Sequence, residues 1–281
     1  MKLAQKIMIG YFRTKIRVLS VLSKRKAAAT AFDLFCTPLH KPAKRTPLIF
    51  GMAEPLQFSL GDHMIYGHRW RSGPDAKKIL IVHGFESSSG NFEKYIAGLL
   101  EKEYEVIAFD APAHGTSTGS RINLPLYVST LVKINVLYGP MDGYIAHSFG
   151  ALAVTHLLER IPHDELVRAV LIAPATETVT TIDSFFSFLK IPSSVRKEFD
   201  RLIIRISGHR PEHYSIRRAV KNINATMMWF HDENDELTPV EDALKIKAEG
   251  YLNIDFRITK GLGHRRIYRD QRVMKEAVDF L

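Results

Sequence analysis

Cysteine is nearly absent from this sequence, because Cys36 is the only one among 281 residues. A single cysteine excludes an internal disulfide framework and a cysteine-based zinc site, so no feature of the chain requires an oxidising compartment. Apolar residues also never run uninterrupted for the roughly 18 positions that a membrane-spanning helix needs. The hydrophobic content of 46% is nevertheless enough, over this length, to bury a sizeable core.

Acidic residues are absent from residues 1–26, which contain eight lysines and arginines. The other 31 of the 39 basic residues are balanced by 30 acidic ones, so the net charge of +9 belongs almost entirely to this segment. Because the rest of the chain is close to neutral, we expect no nucleic acid among its partners. Arg13, Lys15 and Arg17 interrupt the apolar residues of the segment, which a secretion signal does not tolerate, so we expect a cytoplasmic protein.

Apolar residues in the basic segment recur near helical spacing, at Leu3, Ile7, Tyr11, Val18 and Leu22. This pattern predicts an amphipathic helix. Such helices most often pack on the body of their own protein or on a second subunit. The alternative is a weak contact of residues 1–26 with an anionic membrane surface. The sequence does not predict the oligomeric state.

Eight segments have the apolar or alternating pattern that is typical of β-strands. They are residues 56–60, 64–70, 79–82, 105–109, 144–147, 169–173, 226–231 and 254–259. The first two flank a Gly-Asp turn and predict an antiparallel hairpin. From the third strand onward, strands alternate regularly with helical segments. That alternation predicts an α/β fold with a mostly parallel, doubly wound, eight-stranded sheet.

A helical, irregular stretch interrupts the alternation at residues 176–222. We therefore divide the chain into a basic helix and connector (1–55), a first part of the core (56–175), the insert (176–222) and a second part of the core (223–281). An insert beyond the carboxyl ends of the strands is positioned to form a lid. Phe185, Phe186 and Phe188 cannot all enter one small core, since helical neighbours lie about 100° apart. At least one is therefore predicted to face outward or toward the catalytic cleft, where it would line an apolar substrate pocket.

Ser148 lies at an abrupt change from strand to helix. The strand ending at His147 passes into a helical pattern with no loop. Small residues lie two positions before and two positions after the serine, at Ala146 and Gly150. Such a turn forces the central residue into an unfavourable backbone geometry and lifts its side chain clear. The pattern is that of a nucleophile elbow, G-x-S-x-G, with alanine in place of the first glycine.

A serine hydroxyl needs a base to become a nucleophile, and imidazole suits neutral pH. A carboxylate then holds the imidazole in the required tautomer. The chain supplies Ser148, Asp235 and His264 in that order, each after a different predicted strand. Asp232 is the alternative acid. The sequence Thr238-Pro239-Val240-Glu241 predicts a capping box, which confines both acids to a short loop.

The chain resembles the α/β-hydrolase superfamily from about Leu56 to its C-terminus. The resemblance rests on five motifs in family order: His83-Gly84-Phe85, Asp110-x-Pro-x-His114-Gly115-x-Ser117, Ala146-x-Ser148-x-Gly150, His231-x-x-x-Asp235-x-x-Thr-Pro239 and Gly263-His264. The segment Ala31–Pro38 is also similar to one in a bacterial group of these hydrolases, which implies no particular substrate.

This resemblance implies that Ser148 is the nucleophile, Asp235 the acid and His264 the base. It also implies that the backbone N–H groups of Phe85 and Phe149 form an oxyanion hole, that residues 176–222 are a cap, and that no cofactor or metal takes part. Glu86, beside the first of these amides, departs from the usual pattern. Its carboxylate would oppose an oxyanion, so we expect it to point away.

The function indicated by these features is a serine hydrolase that acts on a small-molecule carboxylic ester through an acyl-enzyme. Hydrolysis of a thioester, an amide or a carbon–carbon bond with the same residues is the alternative chemistry. A non-catalytic small-molecule receptor is the alternative from another class, because a fold does not determine a function.

Overall fold

A computed structural model of the protein describes residues 3–39 and 47–281, so most of the predicted connector lies outside the described residues. The chain divides into two compact units. One comprises Met1–Thr37 and Glu177–Ser215, and the other comprises Pro38–Thr176 and Ile216–Leu281.

The larger unit contains one eight-stranded sheet. Its strands are β1 (Glu54–Leu60), β2 (His63–Trp70), β3 (Lys78–Val82), β4 (Glu105–Phe109), β5 (Gly143–His147), β6 (Arg168–Ile172), β7 (Thr226–Asp232) and β8 (Ile254–Thr259). They lie in the order β1-β2-β4-β3-β5-β6-β7-β8. β1 and β2 pair antiparallel, β2 joins β4 antiparallel, and all other pairs are parallel. The predicted fold class, strand number and hairpin are therefore confirmed.

Burial explains why the central strands read as continuous apolar runs. Every residue of β4 and β5 is buried, because helices cover both faces of a parallel sheet. β1 instead alternates between exposed and buried positions, as a strand with one wet face does. Since β3 and β5–β8 run parallel, the loops that follow them leave the sheet at the same edge.

The described helices are α1 (Leu3–Leu22), α2 (Lys24–Phe35), α3 (Glu93–Glu101), α4 (Leu124–Tyr138), α5 (Phe149–Leu158), α6 (Thr178–Leu189), α7 (Arg196–Ser207), α8 (Ile216–Ala219), α9 (Val240–Lys247), α10 (Gly263–Arg266) and α11 (Gln271–Phe280). Short 3-10 helices occupy Leu48–Met52, Ser89–Phe92, Ser193–Val195, Pro211–His213, Val220–Asn222 and Ile267–Arg269. None of the helices in this described part is long and apolar enough to cross a membrane.

The smaller unit joins the N-terminal segment to the insert. Phe35 of α2 packs edge-on against Phe185 of α6 and Phe199 of α7, with ring centroids 5.1 and 5.9 Å apart. The insert closes on itself where Glu177 and Ser215 form an isolated β-bridge. Residues 1–55 and 176–222 were expected to be separate segments, whereas α1, α2, α6 and α7 belong to one compact unit and α8 belongs to the larger one. The contact is long-range, so no local pattern indicates it.

The three phenylalanines of the insert have different environments. Phe186 is 8% exposed and packs 5.2 Å from the Phe199 ring. Phe185 is partly buried in the same aromatic cluster. Phe188 is 55% exposed, as the helical spacing of the three residues requires. Phe185 and Phe186 thus belong to the core of this unit, and Phe188 alone remains a predicted substrate contact.

Candidate active site

The backbone of Ser148 adopts the geometry that the sequence predicts. Its φ and ψ are 54° and −120°, a region that non-glycine residues rarely occupy, and α5 begins at the next residue. Gly150 is required here, because a Cβ would come within 2.4 Å of the His83 carbonyl oxygen. Ala146 is fully buried in β5, so an alanine methyl fits where the motif usually has glycine.

Ser148, His264 and Asp235 form a continuous hydrogen-bonded series. His264 Nε2 lies 2.9 Å from Ser148 Oγ, and His264 Nδ1 lies 2.8 Å from Asp235 Oδ2. The three residues follow β5, β8 and β7, whose carboxyl ends share one edge of the sheet. The Asp235 side chain is completely buried, whereas that of His264 is 10% exposed.

Asp235 is held by donors on both of its oxygens. Oδ1 accepts from the backbone N–H groups of Leu237 and Thr238, each at 2.9 Å, and Oδ2 accepts from Thr238 Oγ1 at 2.8 Å. Burial alone would raise the pKa of the Asp235 carboxyl. The hydrogen bond and charge of His264, with the Thr238 donors, outweigh burial and lower that pKa. Asp235 is therefore ionised at neutral pH and imposes the tautomer with the proton on His264 Nδ1.

The role predicted for Thr238 is wrong. The sequence suggests a capping box, but the side chain does not cap α9, which begins at Val240 after Pro239. The hydroxyl instead lies 2.8 Å from Asp235 Oδ2 and 3.0 Å from His264 Nδ1. An acceptor carboxylate is a stronger partner for a hydroxyl than a partly solvated helix amide. The Thr-Pro pair thus follows the acid because the threonine binds it.

Asp232, the alternative acid, has a different set of partners. Oδ1 accepts from the Gly263 and Asn234 amides at 2.8 and 3.0 Å, and Oδ2 accepts from Thr259 Oγ1 at 2.7 Å and the Leu262 amide at 3.0 Å. These bonds hold the backbone immediately before His264. Asp232 therefore supports the loop that carries the imidazole, while Asp235 contacts the ring.

His147, which was not among the predicted site residues, also supports the imidazole. Its Nε2 lies 3.1 Å from the His264 carbonyl oxygen, and its ring lies 4.9 and 4.5 Å from the rings of His264 and Tyr268. Complete burial, followed by the charge of His264, lowers the pKa of His147 to about 3. The neutral ring can then donate from Nε2 to the carbonyl. A histidine in a strand buried on both faces is the signal that could have identified it.

Phe85 and Phe149 offer the two backbone amides that the resemblance implies for an oxyanion hole. Phe149 is the first residue of α5, so its N–H has no partner within the helix. Neither amide donates to a carbonyl in the described residues. The Glu86 carboxylate accepts from the Leu39 amide at 3.0 Å. The backbone N–H of Glu86 donates to His114 Nε2 at 3.0 Å. The ring of this buried histidine is therefore occupied by a structural hydrogen bond.

His83 takes no part in the hydrogen-bonded series. His83 accepts from the Ala111 amide at 3.0 Å and contacts the Gly84 carbonyl at 2.8 Å, so both ring nitrogens are engaged. Phe185, Phe186 and Phe188 belong to the other unit. Among residues 3–39 and 47–281, no group of three or more histidine, cysteine or acidic side chains is arranged to hold a metal ion.

The chain is similar to several known proteins. A curated bifunctional esterase/perhydrolase of Acinetobacter calcoaceticus is 26% identical over 147 residues, which span 50% of this chain and 51% of that enzyme. The chain thus matches about half the length of that curated relative. A Pyrococcus furiosus esterase structure has a TM-score of 0.65 at 21% identity and covers 88% of this chain and 97% of its own. Mouse α/β-hydrolase domain-containing protein 10 has a TM-score of 0.59 at 16% identity and covers 81% and 96%.

These structural similarities show the α/β-hydrolase fold. A family model described as serine aminopeptidase, S33, matches residues 73–216. The match covers just over half of the chain and includes β3, the elbow at Ser148 and nearly all of the insert. The chain therefore belongs to the serine aminopeptidase S33 family of α/β-hydrolases.

Proposed function

We propose that this protein is a serine hydrolase that cleaves carboxylic esters through an acyl-enzyme. The observation that carries the proposal is the hydrogen-bonded series from Asp235 through His264 to Ser148, with distances of 2.8 and 2.9 Å. A nucleophile, a base and an orienting carboxylate in this relation are what acyl transfer at neutral pH requires.

In the first half-reaction, Ser148 Oγ attacks the ester carbonyl carbon while His264 Nε2 takes its proton. The carbonyl oxygen becomes an oxyanion, which the Phe85 and Phe149 amides stabilise as donors already in place. His264 then gives its proton to the leaving alkoxide as the carbon–oxygen bond breaks, which leaves an acyl group on Ser148. Asp235 stays ionised throughout and stabilises the imidazolium.

In the second half-reaction, water replaces the alcohol. His264 takes a proton from the water as its oxygen attacks the acyl carbon, and the same two amides stabilise the second oxyanion. Collapse of this intermediate expels Ser148 Oγ, which recovers its proton from His264, and releases the carboxylic acid. The residues end in their starting protonation states.

The esterases among the relatives support an ester as substrate, whereas the family description supports an amide as the second candidate. Both bonds need the same residues, and the amide has the poorer leaving group. Thioester and carbon–carbon bond hydrolysis are further possibilities with the same chemistry. A kinetic comparison of p-nitrophenyl esters of increasing acyl length with aminoacyl p-nitroanilides would separate ester from amide. We expect measurable kcat/KM for the esters and at least about 100-fold less for the anilides.

Covalent labelling tests the proposal against a non-catalytic receptor. A fluorophosphonate should label the wild-type protein in one stoichiometric event, and Ser148→Ala should abolish both labelling and esterase activity. His264→Ala should slow both by about 1,000-fold or more, because these residues act as a unit. Ser117→Ala is the matched control, since Ser117 Oγ is committed to the Asp110 carbonyl at 2.7 Å. Labelling that persists in Ser148→Ala would overturn the proposal.

A further inference from the structure

Helix α1 carries a stripe of exposed apolar side chains. Ile7, Tyr11, Val18 and Leu22 are 64%, 58%, 55% and 76% exposed. At 3.6 residues per turn they fall within an arc of about 60°. Ile16 lies about 150° from the centre of that arc and is completely buried. The helix therefore has an inner apolar face used by its own unit and an outer apolar face covered by no described residue.

Basic side chains border the stripe on both sides. Lys15 lies about 80° from Ile7 in one direction around the helix, and Arg17 and Lys6 lie about 80° and 100° away in the other. All three are exposed. By contrast, Arg13 turns inward and donates to the Phe188 carbonyl at the end of α6. The three exposed basic side chains of α1 named above thus flank the apolar stripe.

The charge of the segment selects among the partners that could cover this stripe. Residues 1–26 contain eight basic residues and no acidic residue. A two-fold dimer through the stripe would place two such segments against each other, and like charges would oppose it. An anionic bilayer supplies both an apolar layer and negative charge. Aliphatic side chains in the centre, a tyrosine, and lysines and arginines at the edges form the pattern of a helix that lies in a membrane interface.

We propose that α1 docks this protein on the surface of an anionic lipid bilayer. The helix lies in the plane of the interface, with the stripe in the boundary between headgroups and acyl chains. Lys6, Lys15 and Arg17 extend their aliphatic stems along that boundary and place their charges among the lipid phosphates. The proposal rests on the surface of α1 and is independent of the proposed hydrolase activity.

Point variants of the full-length protein are the appropriate test, because deleting α1 would also remove the buried Ile16. The first variant, Ile7→Ser/Val18→Ser/Leu22→Ser, replaces the three aliphatic side chains of the stripe, keeps Tyr11 and leaves the net charge unchanged. Its control is Leu166→Ser/Leu252→Ser, at two leucines that are 78% and 104% exposed in the other unit. Sedimentation with vesicles of phosphatidylcholine and 30% phosphatidylglycerol, and with phosphatidylcholine alone, measures binding. Circular dichroism and size-exclusion chromatography verify the fold and the oligomeric state.

The second variant, Lys15→Glu/Arg17→Glu, reverses the bordering charges. Its control, Lys94→Glu/Lys247→Glu, makes the same change of net charge at exposed positions in the other unit. Each charge near an anionic surface changes affinity about fivefold. The variant should therefore bind at least 25-fold more weakly, while its control keeps wild-type binding.

We expect wild-type protein to sediment with the anionic vesicles, to stay in solution with phosphatidylcholine, and to be released at about 0.5 M salt. The stripe variant should lose about tenfold or more in affinity, and its leucine control should not. Two results would overturn the proposal. One is equal vesicle binding by the stripe variant and wild type. The other is a wild-type dimer that the stripe variant converts to a monomer without any effect on vesicles, which would make the stripe a subunit interface.

Discussion

Asp235→Asn changes one atom at the centre of the proposed mechanism. The asparagine carbonyl can keep the position of Oδ1, which accepts from the Leu237 and Thr238 amides at 2.9 Å. Its NH2 group then takes the position of Oδ2, which lies 2.8 Å from His264 Nδ1. Because an amide nitrogen donates, Nδ1 must become an acceptor and the proton moves to Nε2. An imidazole protonated at Nε2 cannot take the proton of Ser148.

The expected loss in kcat is therefore close to that of an enzyme whose catalytic histidine is held in the wrong tautomer. The same substitution in a chymotrypsin-type protease lowers kcat about 10⁴-fold, which corresponds to about 5 kcal/mol in the activation free energy. The cost in folding stability should be smaller, about 1–3 kcal/mol. The Thr238 hydroxyl can rotate and accept from the new NH2 group instead of donating to Oδ2, so Asp235→Asn should remain folded.

The assay is kcat on a p-nitrophenyl ester together with the second-order rate of fluorophosphonate labelling, at matched concentrations of folded protein. Asp232→Asn is the control, since Asp232 accepts four hydrogen bonds, two of them from the backbone immediately before His264. It should lower the free energy of unfolding and reduce kcat per folded molecule less than Asp235→Asn does. A loss below tenfold for Asp235→Asn, or a larger loss for Asp232→Asn, would refute the assignment of the acid.

Three further substitutions test the surroundings of the site and the insert. His147→Gln retains a donor for the His264 carbonyl but cannot titrate. The pKa of His147 is about 3 in the folded protein and about 6.5 in the unfolded chain, so between these pH values the unfolded state binds one more proton. The free energy of unfolding therefore falls as the pH is lowered through this range. His147 should therefore contribute up to about 1.4 kcal/mol per pH unit to the fall in wild-type stability in urea unfolding. His147→Gln should show a flatter slope by that contribution, and equal slopes would contradict the buried neutral ring. Gly150→Ala, whose Cβ would lie 2.4 Å from a backbone oxygen, should cost about 1–3 kcal/mol in thermal unfolding, so an unchanged Tm would contradict the tight elbow. Phe188→Ala should change acyl-length preference without loss of stability, whereas Phe186→Ala should lower stability by about 3–5 kcal/mol; identical acyl-length profiles for Phe188→Ala and wild type would remove Phe188 as a substrate contact.

Much of the larger unit was predictable because its signals are local. Each predicted strand begins within two residues of the observed one. The central strands are apolar along their whole length because both faces are buried, and β1 alternates because one face is exposed. The elbow was predictable for a similar reason. A strand that becomes a helix without a loop forces Ser148 into its positive φ of 54° and requires a small residue at Gly150. Chain order then suggested the acid and the base.

The contacts among distant residues could not be read from such patterns. Asp232 and Asp235 lie three residues apart at the end of β7 and in the loop after it. Only the packing of β7 beside β8 brings Asp235 to the His264 ring and Asp232 to the backbone before it. Thr238 fits a capping box in sequence and binds a carboxylate in the structure. His147 contacts a carbonyl that lies 117 residues later in the chain.

The N-terminal segment and the insert give the clearest contrast between the two levels. The sequence by itself indicated a basic amphipathic helix in the N-terminal segment, which the structure shows as α1 (Leu3–Leu22) followed by a second helix from Lys24, and it indicated that three phenylalanines of the insert could not share one core. Only the tertiary structure decided that α2 joins α6 and α7 in one aromatic cluster, and which side of α1 stays exposed. Periodicity reports that a helix has an apolar face because that property depends on neighbours in sequence. What covers that face depends on partners that are distant along the chain.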